Sequence, residues 1–245
     1  MQPWHYVLLL LVGLVTGINN ILAGGGSLLT LPVMIFLGMS PATANGTNRV
    51  ALLVQSATAV TSFKKRGLWE PRRALTLALC TIPGVLLGSV AAIKIDPVCF
   101  ERLLALVMLG TVIIILKGHG DRKERAGGAT HPVWAHLAMA GAGFYAGFIQ
   151  AGVGFILMAI LYGLLDLSLV RVNVYKVFIV GIYMIPSLLV FALTDHVWWL
   201  AGAVLAVGNG TGGWIGAHVV VKGGEKVIRV VFTIAVIAMA VKLLL

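Results

Sequence analysis

The chain has 245 residues, of which 60% are hydrophobic and 11% are charged, and its mean hydropathy is +1.02. A soluble globular domain carries about 25% charged residues, so this composition excludes an ordinary water-soluble protein. At about 20 apolar residues per membrane crossing, about eight to ten crossings would use most of the chain. The composition therefore predicts an all-α polytopic membrane protein with short loops and no separate soluble domain.

The net charge of +10 arises from 18 Lys and Arg residues against 8 Asp and Glu residues. In a membrane protein such an excess is typical of positively charged cytoplasmic loops, so we do not expect a nucleic-acid partner. The two cysteines, Cys80 and Cys99, lack the spacing of metal ligands. We expect both to be unpaired and predict no metal site.

Ten apolar runs, bounded by charged or turn residues, follow one another along the chain. They are Trp4–Ala23, Ser27–Leu37, Ala42–Phe63, Ala74–Ile93, Phe100–Leu116, Pro132–Ala151, Phe155–Leu165, Val170–Thr194, Val197–Val221 and Val227–Leu245. The second and seventh runs are too short to cross a membrane comfortably as straight helices, and whether they cross it fully is left open. The stretch from Lys117 to His131 is polar and rich in glycine, as expected of a linker.

The linker lies near the midpoint of the chain, which suggests an internal repeat. An offset of 128 residues places Asn45 over Asn173 and brings other features into line. The matched features are Ser40 with Ser168, Gly24 and Gly26 with Gly152 and Gly154, and Gly88 with Gly216. We therefore predict two transmembrane repeats, residues 1–117 and 132–245, joined by a cytoplasmic linker, residues 118–131, and together forming one transport domain.

Charge placement predicts how the repeats are oriented. Twelve of the 18 positive residues lie between the third and fourth runs, in the linker, or between the ninth and tenth runs. If these loops are cytoplasmic, the matched third and eighth runs point in opposite directions and both termini face outward. We favour this inverted repeat. The alternative is eight helices in a parallel repeat, which would place the positive stretch from Lys222 to Arg229 outside.

Glycine-rich breaks interrupt an apolar run at matched positions in the two halves. The first break contains Gly24, Gly25 and Gly26, and the second contains Gly152 and Gly154. Each precedes a short run whose first backbone N–H groups could bind an anion, and glycine leaves space for its approach. A matched pair of interrupted segments indicates a transporter binding site, whereas close helix packing is the structural alternative.

A second pattern pairs an amide side chain with a cation inside a membrane segment. Asn45 lies four residues before Arg49, and Asn173 lies three residues before Lys176, so each pair shares one helix face. Thr47 lies between the first two. Cations inside the hydrocarbon are costly and usually functional, although these side chains could instead extend to nearby headgroups. No acidic residue lies comparably deep, so the sequence predicts an anionic substrate.

Motifs for catalysis or cofactor binding are weak or absent. The run from Gly208 to Gly213 fits GxGxxG, but it lies within an apolar segment with no preceding strand or suitably spaced acidic residue, which argues against a dinucleotide site. There is no P-loop lysine motif, no HExxH and no GxSxG. We therefore expect neither an enzyme nor a resident cofactor.

The segment from Gly17 to Arg49 resembles the TauE/SafE family of sulfite exporters, also called 4-toluene sulfonate uptake permeases. The motifs that carry the resemblance are the Ala-Gly-Gly-Gly-Ser break, Leu31-Pro32, Leu37-Gly38, Ser40-Pro41-Ala42 and Ala44-Asn45-Gly46-Thr47. The repeat, the length and the basic linker extend it over nearly the whole chain. The second break departs from the family's usual pattern, because it reads Gly152-Val153-Gly154-Phe155 rather than continuing with glycine.

The resemblance implies a secondary carrier of sulfite, a sulfonate or a related sulfur-containing anion in a bacterial cytoplasmic membrane. From the residues alone, we expect the glycine breaks to supply backbone donors, Arg49 and Lys176 to supply charge, and Asn45, Thr47 and Asn173 to supply hydrogen bonds. An anion channel, or a non-catalytic membrane subunit of a larger assembly, is the alternative. The particular anion, the direction of transport, a coupling proton or sodium ion and a homo-oligomeric state are all left open.

Overall fold

The computed structural model describes residues 2–22, 24–67, 71–116, 131–165 and 167–222. Over these ranges the chain forms nine α-helices and no β-strand. They are α1 (Pro3–Leu22), α2 (Ser27–Phe36), α3 (Pro41–Lys65), α4 (Pro71–Lys94), α5 (Pro97–Leu116), α6 (Pro132–Phe148), α7 (Val153–Leu165), α8 (Leu169–Leu193) and α9 (Trp199–Lys222). Each corresponds to one of the first nine predicted runs. The tenth run, and the predicted linker apart from His131, lie outside the described residues.

The exterior of the helical assembly is apolar, as a lipid-facing surface requires. Large side chains on several helices are exposed, including Leu87 (67%), Val133 (70%) and Leu193 (76%). Among the described residues, three segments are long and apolar enough to cross a membrane by length and composition: Pro3–Leu22, Arg72–Lys94 and Val170–Leu193. The predicted all-α polytopic membrane class is confirmed, and the described cysteines Cys80 and Cys99 are free thiols.

Matched serines begin the two helices that cross at the centre of the molecule. Ser40 and Ser168 both have extended backbone, with φ near −60° and ψ near 150°. The Thr43 N–H donates to the Ser40 hydroxyl at 3.2 Å, and the Arg171 N–H donates to the Ser168 hydroxyl at 3.5 Å. Serine favours this cap because its oxygen accepts from an otherwise unpaired N–H in the first turn. The 128-residue offset thus matches two equivalent helix starts.

Small residues let helices from the two halves approach closely. A Cβ atom at Gly17 of α1 would lie 2.5 Å from the Asn209 carbonyl oxygen of α9, and a Cβ at Gly84 of α4 would lie 2.6 Å from the Phe144 nitrogen of α6. Both pairs are parallel: Gly13 meets Gly208, and further along Gly17 meets Gly212. This close packing of small residues is typical of membrane helices, where lipid gives little hydrophobic drive for association. The helices of the first half therefore make their closest contacts with helices of the second half.

Helices α3 and α8, which the offset matches, run antiparallel. Phe63, near the end of α3, clusters with Val174, near the start of α8. A Cβ at Gly181 would lie 3.2 Å from the Ser56 Cβ at the centre, and the guanidinium of Arg49 lies over the Phe191 ring near the opposite ends. Opposite directions are what an inverted repeat requires. The repeat and its domain boundaries remain predictions that this geometry supports.

Two glycines on α6 provide a matched test of the helix packing. A Cβ at Gly143 would lie 2.9 Å from the Thr81 Cα of α4, whereas a Cβ at Gly141 would meet nothing within 4 Å. We predict that Gly143→Ala lowers the thermal unfolding midpoint in detergent, because forced overpacking costs about 1–3 kcal/mol. Gly141→Ala should leave the midpoint unchanged or raise it, since alanine is the better helix former. Equal midpoints for the two variants would contradict this packing.

Candidate functional site

The two glycine-rich breaks meet each other at the centre of the molecule. A Cβ at Gly24 would lie 2.6 Å from the Gly154 Cα, so neither position has space for a side chain. Gly24 and Gly152 also have positive φ angles, +86° and +73°, which glycine adopts without strain. In the described part of the chain, the N–H groups of Ser27 and Gly154 have no hydrogen-bond partner. The breaks therefore place unpaired helix N-terminal donors close together, and the anion site itself remains a prediction that this geometry supports.

A small cavity of about 30 Å³ lies at this meeting point, and we call it the central cavity. Its lining from the first half is Asn20, Ile21, Gly24, Ser27, Leu52, Gln55 and Ser56. Its lining from the second half is Gln150, Val153, Gly154, Lys176, Val177 and Val180. A volume of this size holds about two water molecules. The lining combines polar side chains and one lysine with aliphatic side chains.

Amide side chains hold the first break in place. The Gly26 N–H donates to the Asn20 Oδ1 at 2.6 Å, and the Asn20 Nδ2 donates to the Gln55 Oε1 at 3.0 Å. The Gln55 Nε2 in turn donates to the Gly17 carbonyl at 3.3 Å. Because buried polar groups need hydrogen-bond partners, this chain of amides fixes the start of α2 relative to α1 and α3.

Lys176 of α8 lines the central cavity and caps the end of α1. It is 2% exposed, and its ammonium donates to the Asn20 and Ile21 carbonyls at 3.1 Å each and to the Asn173 Oδ1 at 2.7 Å. The last carbonyls of a helix lack partners within the helix and carry partial negative charge, so a cation is favourable there. The predicted pair Asn173 and Lys176 is thus brought together with the first break.

Arg49 of α3 occupies the corresponding place at the end of α6. Its guanidinium is fully buried and donates to the Gly147 carbonyl at 2.6 Å, the Ala146 carbonyl at 3.3 Å and the Asn45 Oδ1 at 3.1 Å. The Asn45 Nδ2 donates to the Phe148 carbonyl at 2.8 Å. The arginine therefore does not extend to the headgroups, and in this structure it does not line the central cavity.

The remaining predicted residues lie around the cavity rather than on its wall. The Trp198 N–H donates to the Thr47 hydroxyl at 2.9 Å, just before α9 begins. A Cβ at Gly25 would meet the Phe155 ring, and one at Gly26 would meet the Asn20 side chain. Of the ten predicted site residues, Gly24, Gly154 and Lys176 line the cavity. Direct substrate contact by any of the ten remains a prediction.

Sequence reasoning missed several polar groups on the cavity wall. Ser27, Gln55 and Ser56 line it, and Ser27 accepts a hydrogen bond at 3.0 Å from Asn48, a residue that was also not predicted. Gln55 and Ser56 lie near the middle of α3, where amide and hydroxyl side chains within a membrane segment are a detectable signal. They were overlooked because they carry no charge and follow no motif.

A second cavity of about 230 Å³ lies where α3 begins and the α4–α5 connection passes. Its wall includes Ser40, Ile93, Ile95, Phe100 and His196, but none of the predicted site residues. It is larger than the central cavity and mainly apolar. Because it contains neither glycine break and no Lys or Arg, it is the weaker candidate for an anion site.

A helical membrane protein in which two broken helices meet at a buried cationic cavity has the architecture of a membrane transporter. The chain belongs to the TauE/SafE family, because the family model for the sulfite exporter TauE/SafE matches residues 9–243. The resemblance seen in the sequence is therefore confirmed, and the protein is a probable membrane transporter of that family.

Curated relatives match along almost the whole chain. A probable membrane transporter protein of Haemophilus influenzae is 27% identical over 96% of this chain and 93% of its own length. The probable membrane transporter protein YfcA of Escherichia coli K12 is 28% identical over 99% of this chain and 91% of its own. A third, from Sinorhizobium sp., is 24% identical over 96% and 91%. No solved structure matches the chain.

The capping role of Arg49 predicts a large loss of stability when its donors are removed. Arg49→Leu would leave the Ala146 and Gly147 carbonyls buried without these donors, at about 1–3 kcal/mol for each group. Arg49→Lys should retain part of the stability, since a single ammonium cannot reproduce the planar fork. The exposed Arg102 serves as the control, and Arg102→Leu should leave the unfolding midpoint in detergent unchanged. A midpoint for Arg49→Leu equal to that of wild type would contradict the cap.

The contact between the breaks predicts a different effect at two glycines of α7. A Cβ at Gly154 would lie 2.7 Å from the Gly24 carbonyl carbon, while a Cβ at Gly163 would meet nothing within 4 Å. Gly154→Ala should push the breaks apart and lower the thermal unfolding midpoint in detergent, because forced overpacking costs about 1–3 kcal/mol. Gly163→Ala should unfold at or above the wild-type midpoint, since alanine is the better helix former. An unchanged midpoint for Gly154→Ala would show that close contact of the breaks is not needed.

Proposed function

We propose that this protein is a secondary transporter that moves a small anion, sulfite or a sulfonate, across the bacterial cytoplasmic membrane by alternating access. The observation that carries the proposal is the central cavity, where both helix breaks, unpaired backbone N–H groups and the Lys176 ammonium come together. Such breaks at a repeat interface are the usual position of a transporter binding site. The sulfur chemistry comes from the family to which the chain belongs.

The roles of the two cations differ in this proposal. Lys176 lines the cavity and would supply the positive charge for the anion, while the backbone N–H groups of Ser27 and Gly154 would supply hydrogen bonds. Arg49 would hold the end of α6 and would contact the anion only in another state of the transport cycle. Asn45 and Asn173 would orient the two cations through their side-chain oxygens.

The aliphatic part of the lining favours transport of an anion that carries an apolar group as well as a charge. Leu52, Val153, Val177 and Val180 face the same small volume as Lys176. Because the volume is about 30 Å³, the helices must separate before such an anion can enter. The proposal includes no catalytic step, in keeping with a family of membrane transporters.

Replacement of Lys176 tests the proposal. Lys176→Gln removes the charge but keeps an N–H group that can donate to the Asn20 and Ile21 carbonyls, so the variant should still fold. We expect its uptake of radiolabelled sulfite into proteoliposomes to fall about 10- to 100-fold, because a hydrogen bond to a charged group contributes about 1.5–3 kcal/mol. Lys176→Arg should retain part of the uptake.

The exposed Lys94 provides the matched control, and Lys94→Gln should transport as wild type does. Size-exclusion profiles of all variants check that they fold. Undiminished flux of both sulfite and methanesulfonate in Lys176→Gln would remove the lysine from the mechanism. Large unitary currents from the wild-type protein in planar bilayers, with no counterflow signal, would show that the protein is an anion channel and not a carrier.

A further inference from the structure

Among the residues that line the central cavity, Gln150 has a backbone conformation that is unfavourable for its residue type. It follows α6 with a φ angle of +65°, and its N–H donates to the Tyr145 carbonyl five residues earlier at 3.2 Å. Left-handed backbone of this kind normally ends a helix at glycine. A residue with a Cβ atom is disfavoured there, because the Cβ crowds the following carbonyl oxygen.

The first half uses glycine at the same position relative to its helix end, two residues after the last residue of α1. Gly24 follows α1 with a φ angle of +86°, and its N–H donates to the Asn19 carbonyl five residues earlier, also at 3.2 Å. The same turn is therefore made by glycine in one half and by glutamine in the other. Folding alone would favour glycine in both, so the Gln150 side chain must contribute something that compensates for the strain.

Gln150 lines the central cavity, and its side chain carries an unsatisfied polar atom. The residue is 2% exposed, and its Nε2 donates to the Tyr183 hydroxyl at 3.3 Å, while its Oε1 has no hydrogen-bond partner in the described part of the chain. Buried carboxamide oxygens without a partner are rare and costly, which points to a ligand that is not present here.

If the Gln150 carboxamide rotates by half a turn, its Oε1 gains a hydrogen-bond partner and its Nε2 becomes available to an anionic ligand. The two ends of a carboxamide have nearly the same shape, so the rotation changes only which atom donates. The Tyr183 hydroxyl, which is fully buried, could then donate to Oε1, and Nε2 would point into the cavity as a free donor. The Gln150 Oε1 and the Tyr183 hydroxyl would then satisfy each other, and Nε2 would be a donor on the wall that Asn20 and Ser27 also line.

We propose that Gln150 is a substrate-binding residue whose side-chain amide donates to the transported anion, with the Tyr183 hydroxyl holding the amide in that orientation. The proposal rests on the proposed function, because it assumes that an anion occupies the central cavity. It assigns to the second break a side-chain donor two residues before Gly152. Gln150 binds the ligand, and Tyr183 is a positioning residue.

The experiment measures sulfite uptake and stability together. Gln150→Gly removes the donor and relieves the strained φ, so we expect an unfolding midpoint at or above that of wild type but a KM for sulfite about 10- to 100-fold higher. Gln150→Ala keeps a Cβ atom and its strain, and it should show the same KM with no gain in stability. Gln150→Glu places a carboxylate against the anion and should abolish uptake.

Tyr183→Phe separates orientation from binding. The phenyl ring keeps the packing, so uptake should persist with a KM raised less than in Gln150→Ala. Combining the two substitutions should add nothing to the effect of Gln150→Ala, because the hydroxyl acts through the amide. Fully additive effects on KM would overturn the positioning role.

The outcomes distinguish this inference from the proposed function. If wild type transports sulfite and Lys176→Gln does not, but Gln150→Ala retains the wild-type KM, Gln150 is not a binding residue and the transporter assignment stands. If Gln150→Gly loses stability in proportion to transport, the residue is structural and the inference fails. If wild type transports neither sulfite nor methanesulfonate, the proposed function fails, and the inference with it.

Discussion

The fold depends on how two helices can end inside a membrane. At the ends of α1 and α6 the last carbonyl groups have no partners within the helix, and no bulk water is available to hydrate them. Each end is satisfied by a cation from the opposite half: Lys176 donates to carbonyls of α1, and Arg49 donates to carbonyls of α6. The helices can break in the interior of the protein because these donors are present, and the cavity lies where the breaks meet.

The same contacts explain why α3 and α8 lie at the centre. Each carries its cation on the face turned to a broken helix of the other half, and the two pack against each other in opposite directions. Arg49 is held further by the Phe191 ring at 4.6 Å, a contact that favours a desolvated guanidinium. The two cations therefore join the halves, and Lys176 also lines the cavity between them.

Much of this architecture could be predicted from the sequence. Nine of the predicted apolar runs are helices in the structure, including the two short ones. The two glycine-rich breaks, which the sequence matches, lie in contact, and neither Gly24 nor Gly154 has space for a Cβ atom. The polar lining was only partly foreseen. Gln55 and Ser56 are ordinary uncharged residues in an apolar segment, and only the fold reveals which helix face they occupy. The role of Arg49 was also hidden, since a buried cation has the same sequence signature whether it binds a helix end or a ligand.

The parallel packing of α1 against α9 has a consequence for biosynthesis. The Thr16 hydroxyl donates to the Asn209 side chain at 2.8 Å, across a sequence separation of 193 residues. At roughly 5–20 residues per second, α1 enters the membrane roughly 10–40 seconds before its main partner has been made. During that interval its glycine stripe and the carbonyls that Lys176 later satisfies must be accommodated by lipid, water or the insertion machinery. Assembly of this protein is therefore completed late, because α1 is made long before α9, the helix against which it packs.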